Sequence, residues 1–249
     1  MNLEETIETV KQIVIGASAI VRHEYVGANN FTFSKELPTE LKAALDFQLN
    51  SFIVESLSPL GIPILSEETP DNQSAWRCGL SFVIDPLDGT FNFIRKLGES
   101  AISVALMDSG KPIFGVVFLN KEQKLFWGGK AFGSFEGNTR LEVSTVKIIQ
   151  HAALCTGFPV RLNKNDKAAF GKTVKEMTNF GKVRMLGSAA ASLIHVARGS
   201  AEKYMESNIM IWDVAAGLAI VEGAGGAYSF SDTEMSNCLS AEASNGLID

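Results

Sequence analysis

The chain has 249 residues, of which 46% are apolar and 20% are charged, and its formal net charge is −6. This composition is typical of a folded globular protein and excludes collagen-like, coiled-coil and disordered chains. The negative charge argues against a broad nucleic-acid-binding face. No window approaches the 18 unbroken apolar residues of a membrane span, so we expect no membrane partner.

The cysteines and the N-terminus favour a reducing compartment. Cys78, Cys155 and Cys238 are scattered, odd in number and without CxxC spacing, so they predict neither a disulfide framework nor a zinc site. The N-terminus contains Glu4 and Glu5 and lacks the basic segment of a secretory signal. We therefore expect a cytoplasmic protein.

Two amphipathic helices are predicted near the N-terminus. Apolar residues recur at steps of four and three over 3–22, the period of one helical face. Apolar residues at four-residue steps predict a second helix over 39–56, and Pro38 suits its first turn. Asp46 and Asn50 share another face of this helix.

The spacing of the apolar residues then changes from the helical period to that of strands. A short apolar stretch ends in Ser66-Glu67-Glu68, and an apolar run over 81–84 ends in Asp85-Pro86-Leu87-Asp88-Gly89-Thr90. We expect a proline turn there, followed by a helix over 88–94. Turn-rich separators then divide three apolar stretches, which predicts an antiparallel meander over 101–107, 112–119 and 124–127.

The second half of the chain alternates between strands and helices. The polar tail from Ser231 predicts no definite element, and Ser188 is a candidate N-cap. The whole pattern predicts one α/β domain of stacked helix and sheet layers, with halves of about 1–145 and 146–249. The expected elements of the second half are strands over 152–156, 182–186, 203–206 and 227–230, and helices over 167–178, 188–197 and 213–224.

The segment Asp85-Pro86-Leu87-Asp88-Gly89-Thr90 carries the clearest chemical signal. Two carboxylates three residues apart leave the end of a buried strand. Hard divalent ions such as Mg²⁺ prefer such oxygen ligands, and Gly89 lets a ligand approach the backbone closely. An ordinary turn with a capping aspartate is the alternative interpretation.

Two further acidic features make a metal site more plausible. Glu67 and Glu68 follow a short apolar strand, and Asp213 follows Trp212 at the start of a predicted helix. Alone, the glutamates would be a solvated strand end and Asp213 an N-cap. If these carboxylates meet in the fold, they repel one another unless a cation neutralises them.

These motifs resemble a known family. Asp85-Pro86-Leu87-Asp88-Gly89-Thr90-Phe91-Asn92-Phe93 is similar to the first signature of the inositol monophosphatase superfamily, and Trp212-Asp213-Val214-Ala215-Ala216-Gly217 to the second. The similarity runs in order over about 3–230. It implies a layered α-β-α-β-α fold, and a Mg²⁺-dependent phosphomonoesterase that uses water activated by metal.

The resemblance also implies a role for individual residues. Glu67, Asp85 and the Leu87 carbonyl would hold one ion, and Asp85 would be shared with a second ion held by Asp88 and Asp213. The three histidines lie outside every motif, so a covalent histidine or Ser-His route has no support from the residues.

The resemblance assigns the remaining catalytic roles around Thr90. The backbone N–H groups of Gly89 and Thr90 would bind phosphate, while Glu67 and the Thr90 hydroxyl would orient the attacking water. Asp46 would pair with that threonine and help a third, weaker ion. Ala43 and Asn50 replace a threonine and a glutamate common in the family, which puts the third ion in doubt.

The substrate class stays open between two branches of the superfamily. Glu206 matches a glutamate that binds ring hydroxyls, and Gly187, Ser188 and Ala189 match the lining of that pocket, which favours a small sugar or polyol phosphate such as inositol monophosphate. The segments 97–99 and 108–113 resemble 3′(2′),5′-bisphosphate nucleotidases instead. A non-catalytic relative that binds a phosphorylated metabolite is the remaining alternative.

Three further expectations come from the resemblance. Relatives are commonly homodimers, and Li⁺ inhibits them. Their closing segment runs on into another strand and helix, whereas here the last residue is Asp249, so the final element is expected to be short or absent.

Overall fold

Two β-sheets and three layers of helices form the computed structural model, which describes residues 2–27, 37–69, 75–158 and 167–248. The seven strands of the first sheet lie in chain order, and the five strands of the second lie in the order β11 (Ala227–Asp232), β12 (Cys238–Ser244), β10 (Lys203–Met210), β8 (Ala153–Thr156) and β9 (Lys182–Arg184). The helices are α1 Leu3–Gly27, α2 Leu37–Leu57, α3 Thr90–Arg95, α4 Lys167–Met177, α5 Ala189–Ala197 and α6 Ile211–Gly223.

The first sheet is the predicted meander. Its first two strands are parallel, and each later neighbour is antiparallel. Two short strands at its far edge, Gly133–Glu136 and Thr139–Arg140, were not predicted. The strands are β1 Ile64–Ser66, β2 Leu80–Asp88, β3 Ala101–Asp108, β4 Lys111–Leu119, β5 Lys124–Gly129, β6 Gly133–Glu136 and β7 Thr139–Arg140.

The second sheet corrects the expectation for the C-terminal tail. Its last strand pairs with β10 on one side and β11 on the other, so it is an inner strand. Its alternation of buried apolar and more exposed polar residues is that of a half-buried strand, a signal that the polar composition hid. The strands are β8 Ala153–Thr156, β9 Lys182–Arg184, β10 Lys203–Met210, β11 Ala227–Asp232 and β12 Cys238–Ser244.

The layers follow from which faces are apolar. Helices α1 and α2 cover one face of the first sheet with residues such as Val14, Leu49 and Ile53. Helices α5 and α6 lie between the sheets, and α4 lies outside the second sheet, where its Glu176 is 3.8 Å from Lys203 of β10. This arrangement confirms the α-β-α-β-α layering. None of the described helices has the length and apolar character needed to cross a membrane.

A buried tryptophan joins the two halves of the chain. Trp76 is fully buried, and its indole Nε1 donates to Asn237 Oδ1 at 3.0 Å, just before β12. The Asn237 carbonyl accepts from the Ile211 backbone N at 2.9 Å, which fixes the first residue of α6. Arg77 forms a bidentate ion pair with Asp232, in which its two terminal guanidinium nitrogens lie 2.6 and 3.1 Å from the two carboxylate oxygens.

We predict that Trp76→Phe lowers the free energy of unfolding by about 1–3 kcal/mol or more. The substitution leaves the Asn237 acceptor buried without its donor and opens space in the core. Trp127→Phe is the matched control, because its indole donates to the Gly137 carbonyl at a more exposed position. Chemical denaturation measures both variants, and equal losses would contradict the role of the Trp76 bond.

Candidate active site

Three aspartates converge where β2 ends and α6 begins. Asp85 and Asp88 belong to β2, and Asp213 lies in the first turn of α6. Carboxylate oxygens of the three side chains lie within 4.8 Å of one another. The fold thus brings together residues that are up to 128 positions apart in the sequence.

A β-bulge explains why Asp85 and Asp88 share one side of the sheet. Residues three apart on a regular strand point to opposite faces. Here Asp85 pairs with Ser103 and Asp88 with Ala101, so β2 has one more residue than β3 over this stretch. The extra residue restores a common face, and Pro86 is tolerated there because a bulge leaves an N–H unpaired. The strand thus continues through Asp88, and α3 begins at Thr90, which corrects the predicted turn and the helix start at 88.

Glu67 joins the cluster from the neighbouring strand. Strand β1 is parallel to β2, with Ser66 opposite Ile84, and the Glu67 backbone N donates to the Ile84 carbonyl at 3.1 Å. This register places Glu67 beside Asp85. Its negative charge raises the pKa values of all three aspartates, so it lies within electrostatic reach of each.

Burial and mutual repulsion raise the pKa values of the three aspartates. Burial is the largest cause that raises the pKa of Asp85 well above its ordinary value, followed by the charges of Glu67 and Asp213. The pKa of Asp213 is raised for the same reasons, with Asp88 the largest charge. Burial raises the pKa of Asp88 to about 6. A divalent cation would replace the shared protons, and this oxygen donor set fits Mg²⁺.

Asp88 is held by the start of α5. Its Oδ2 accepts from Ser188 Oγ at 2.5 Å and from the Ala190 backbone N at 2.8 Å. Ser188 is also the N-cap of α5, since its Oγ accepts from the Ala191 backbone N at 3.1 Å, as the sequence predicted. The Ser188 hydroxyl therefore contacts an acidic residue of the cluster, a role that its expected place in the substrate pocket did not suggest.

Gly89 and Thr90 link β2 to the short helix α3. Gly89 has a φ of 77°, and a Cβ there would come within 3.1 Å of the Glu99 and Gly187 carbonyls. Both the conformation and the close approach require glycine. The Thr90 hydroxyl donates to the Leu87 carbonyl at 2.8 Å, which ties together two groups that the resemblance assigns to the site.

Helix α2 supplies the residues expected near a third ion. Asp46 is buried, and Asn50, one turn later, accepts from Ser66 Oγ at 2.6 Å. Because Ser66 precedes Glu67, this bond anchors α2 beside the acidic cluster. The side chain of Ala43 lies outside the described residues.

Asn92 is a site residue whose role the sequence did not reveal. Its Nδ2 donates to the Glu99 carbonyl at 2.9 Å and to the Leu186 carbonyl at 2.6 Å. Asn92 thus fastens α3 to the two loops that flank Gly89, and its place in the first signature was the only available signal.

Glu206 lies on β10, beside a buried tyrosine. The Tyr204 hydroxyl donates to Glu206 Oε2 at 3.0 Å. Burial raises the pKa of Tyr204 well above its ordinary value, and the charges of Glu206, Asp213 and Asp88 add to the rise. Tyr204 therefore lies within electrostatic reach of both Glu206 and the aspartates, which connects the second sheet to the acidic cluster.

The segments that favoured the nucleotidase branch have structural roles. Asp108 pairs with Leu80 at the opposite end of β2 from Asp88, so the hairpin over 108–111 is roughly 17 Å from Asp85 and roughly 26 Å from Asp88 along the sheet. Glu99 accepts from the Lys121 backbone N at 2.6 Å and the Ser100 backbone N at 3.1 Å, which braces a turn.

Comparisons with known proteins identify relatives of this chain. The chain is 37% identical to a fructose-1,6-bisphosphatase/inositol-1-monophosphatase of Aquifex aeolicus over 59% of this chain and 55% of that protein, so the match spans little more than half of that relative. It is 30% identical to inositol monophosphatase 2 of Saccharomyces cerevisiae, over 90% of this chain and 81% of that protein. Proteins named Nus factor SuhB also match.

The fold and the sequence family give the same result. A solved inositol monophosphatase from Anabaena superposes with a TM-score of 0.79 and 26% identity, covering 99% of this chain and 93% of that one. The sequence model of the inositol monophosphatase family matches residues 2–244. This chain therefore belongs to the inositol monophosphatase family, a family of metal-dependent phosphatases.

Proposed function

We propose that the protein is a Mg²⁺-dependent phosphomonoesterase that hydrolyses a small sugar or polyol phosphate. The observation that carries the proposal is the group formed by the buried Asp85 and Asp88 and the partly buried Asp213, whose carboxylate oxygens lie within 4.8 Å of one another. Buried carboxylates so close together are costly to ionise, and the cost is offset when a divalent cation binds. An ordinary capping aspartate would need no such neighbours.

The grouping of the three aspartates supports a specific set of proposed ligands. Glu67, Asp85 and the Leu87 carbonyl would hold one Mg²⁺, and Asp85, Asp88 and Asp213 a second. When bound, the ions supply an activated water and neutralise charge on the phosphoryl oxygens. The bonds from Ser188 and Ala190 hold one Asp88 oxygen and orient the carboxylate toward Asp85 and Asp213.

The chain's own residues complete the hydrolysis. Backbone N–H groups of Gly89 and Thr90 donate to the phosphate, and Glu67 orients the attacking water together with the Thr90 hydroxyl. The Thr90 hydroxyl donates to the Leu87 carbonyl and can still accept a bond from that water, because a hydroxyl has two lone pairs. Asp46, buried on α2, is proposed to support Thr90 and a third, weaker ion.

Two observations favour a polyol phosphate over a 3′,5′-bisphosphonucleotide. The Glu206 carboxylate accepts a bond from Tyr204, which lies within electrostatic reach of Asp213 and Asp88, and we propose that it meets the leaving group together with Gly187 and Ala189. The hairpin that resembles the nucleotidase branch is far from that position. The bisphosphate nucleotidase remains the alternative substrate class.

A homodimer in the cytoplasm is also proposed. Phe91, Leu97 and Met185 are each more than half exposed. Asn92 joins their segments through its bonds to the Glu99 and Leu186 carbonyls, so the three side chains border one region of the surface. A second copy of the chain would cover this region, and light scattering after gel filtration tests it.

The cysteines, none of which forms a disulfide, suit a reducing compartment.

The first prediction concerns the metal. Extensive dialysis against EDTA should abolish phosphate release from small phosphate esters, and Mg²⁺ should restore it, because the ions would supply the activated water and neutralise charge on the phosphoryl oxygens. Li⁺ should inhibit, by analogy with the family. Full activity in EDTA would contradict the metal-dependent mechanism, and no activity with any ester under Mg²⁺ would favour the non-catalytic alternative.

A second prediction tests whether Asp88 is needed for activity as a metal ligand without being needed for folding. Asp88→Asn should lower kcat at least ~10²-fold, comparable to the loss of one preorganised electrostatic group. Asparagine still accepts the bonds from Ser188 and Ala190, so the far-ultraviolet circular dichroism should not change. Asp108→Asn, at the end of β3 opposite Leu80, is the matched control. Turnover near that of the wild type would remove Asp88 from the site.

The same variant predicts a pH dependence without metal. The folded protein keeps the Asp88 proton up to a pH of about 6, whereas the unfolded chain loses it near pH 4. The wild type therefore loses stability from this group as the pH rises from 4 through 6, and Asp88→Asn does not. In EDTA, the gain in unfolding free energy of the variant over the wild type should grow from pH 4 to pH 7, on the order of 1–3 kcal/mol. A constant difference would contradict the raised pKa.

A further prediction concerns the leaving group. Glu206→Gln should lower kcat/KM for inositol 1-phosphate about 10- to 150-fold, since an acceptor of charge-assisted bonds is lost. The value for p-nitrophenyl phosphate, which has no hydroxyl to bind, should change little. Equal losses on both esters would place Glu206 in the structural framework, and no loss together with good turnover of adenosine 3′,5′-bisphosphate would favour the nucleotidase alternative.

A further inference from the structure

The Glu206 carboxylate is confined from two sides. On one side, the hydroxyl of the fully buried Tyr204 donates to its Oε2 at 3.0 Å. On the other side lies Gly157, where a Cβ atom would overlap both carboxylate oxygens. The φ of Gly157 is not positive, so the reason for glycine at this position is space rather than backbone conformation.

Strand pairing fixes this confinement. Strand β8 is parallel to β10, with Thr156 opposite Met205, so Gly157 comes next to Glu206. The Thr156 hydroxyl donates to the Met205 carbonyl at 2.6 Å, which locks the end of β8 at this register. Strand pairing therefore fixes the backbone beside the Glu206 carboxylate.

A polar cleft opens beside the confined carboxylate. It has a volume of about 390 Å³, and Thr156, Gly157 and Glu206 line one part of it. The rest of its lining includes Lys172, Thr173 and Glu176 of α4 and the serines Ser207, Ser229, Ser231 and Ser240, so most of the cleft lies on the outer side of the second sheet, opposite the layer that carries Asp213. The carboxylate therefore stands between this outer cleft and the inner layer, and its position depends on the residues that hold it.

We propose that Tyr204 and Gly157 are positioning residues that fix the Glu206 carboxylate as a selector for the hydroxyl groups of the leaving group. The inference rests on the proposed function, and it names the residues that give the site its preference for a polyol over an aryl leaving group. A carboxylate can accept about four bonds, so the Tyr204 bond leaves capacity for substrate hydroxyls. A carboxylate fixed before binding loses less conformational entropy when the substrate arrives.

Two variants with matched controls test the selector. Tyr204→Phe keeps the buried ring and removes the donor, and Gly157→Ala pushes the carboxylate aside. Tyr228→Phe on β11 and Gly171→Ala on α4, where a Cβ meets nothing within 4 Å, are the controls. We expect the ratio of kcat/KM for inositol 1-phosphate over p-nitrophenyl phosphate to fall about 3- to 10-fold for each test variant and to stay unchanged for the controls. The Mg²⁺ activation curve with the aryl ester should not move.

A double-mutant cycle separates positioning from general damage. Once Glu206 is glutamine, Tyr204→Phe should lower the ratio by less than twofold, because the group that it positions is gone. Additive losses in the cycle, or equal losses on both esters for both variants, would overturn the proposal, as would unchanged ratios. If Tyr204→Phe fails to fold, Gly157→Ala with Glu206→Gln completes the same cycle.

The same measurements distinguish a failure of the Glu206 selector from a failure of the proposed phosphatase function. A wild-type protein that hydrolyses the aryl ester with Mg²⁺ but shows no preference for the polyol ester would overturn the selector and leave the metal-dependent phosphatase intact. A wild-type protein with no Mg²⁺-dependent hydrolysis of either ester would overturn the proposed function, and the selector with it.

Discussion

The crowding of buried carboxylates at the junction of β2, α5 and α6 is the constraint on which the rest of the structure depends. Burial and like charges raise the pKa values of Asp85, Asp88 and Asp213 together. Such an arrangement is unfavourable for the fold alone, and it becomes favourable when a cation is bound. The surrounding structure therefore has to hold the three side chains in place against their own repulsion.

Three local devices supply that restraint. The bulge in β2 turns Asp85 and Asp88 to one side, and the Leu87 backbone N donates to Asp85 Oδ1 at 2.9 Å. The start of α5 donates two hydrogen bonds to Asp88. The Met210 backbone N donates to Asp213 at 3.3 Å, at the first turn of α6. Each device fixes one carboxylate through backbone or helix-terminal groups, which cost little entropy to order.

The middle helical layer connects these devices to both sheets. A Cβ at Gly115 of β4 would overlap the backbone of Ala216 in α6, and the Leu193 side chain of α5 fills the space beside Gly217. Close packing of this kind keeps α6 from shifting relative to β2. The Asn237 carbonyl holds the beginning of the same helix, so the position of Asp213 depends on contacts from both halves of the chain.

The sequence alone determined the elements with strong periodicity and the identity of the acidic motifs. The meander, the amphipathic helices and the N-cap at Ser188 follow from local patterns, because alternation, helical period and capping chemistry act within a few residues. Two segments resemble the signatures of the inositol monophosphatase superfamily, and the family match confirms this resemblance. The resemblance predicted the α-β-α-β-α order of helix and sheet layers.

Only the tertiary structure decided how distant residues meet. The bulge at Asp85–Asp88 depends on the register of β3, and the inner position of β12 depends on its pairing with two other strands. The bonds of Asp88 with Ser188, of Asn92 with two loops, and of Tyr204 with Glu206 need contacts that the spacing of residues does not encode. Long-range packing sets such contacts, since one residue type can fulfil several roles until its neighbours in space are fixed.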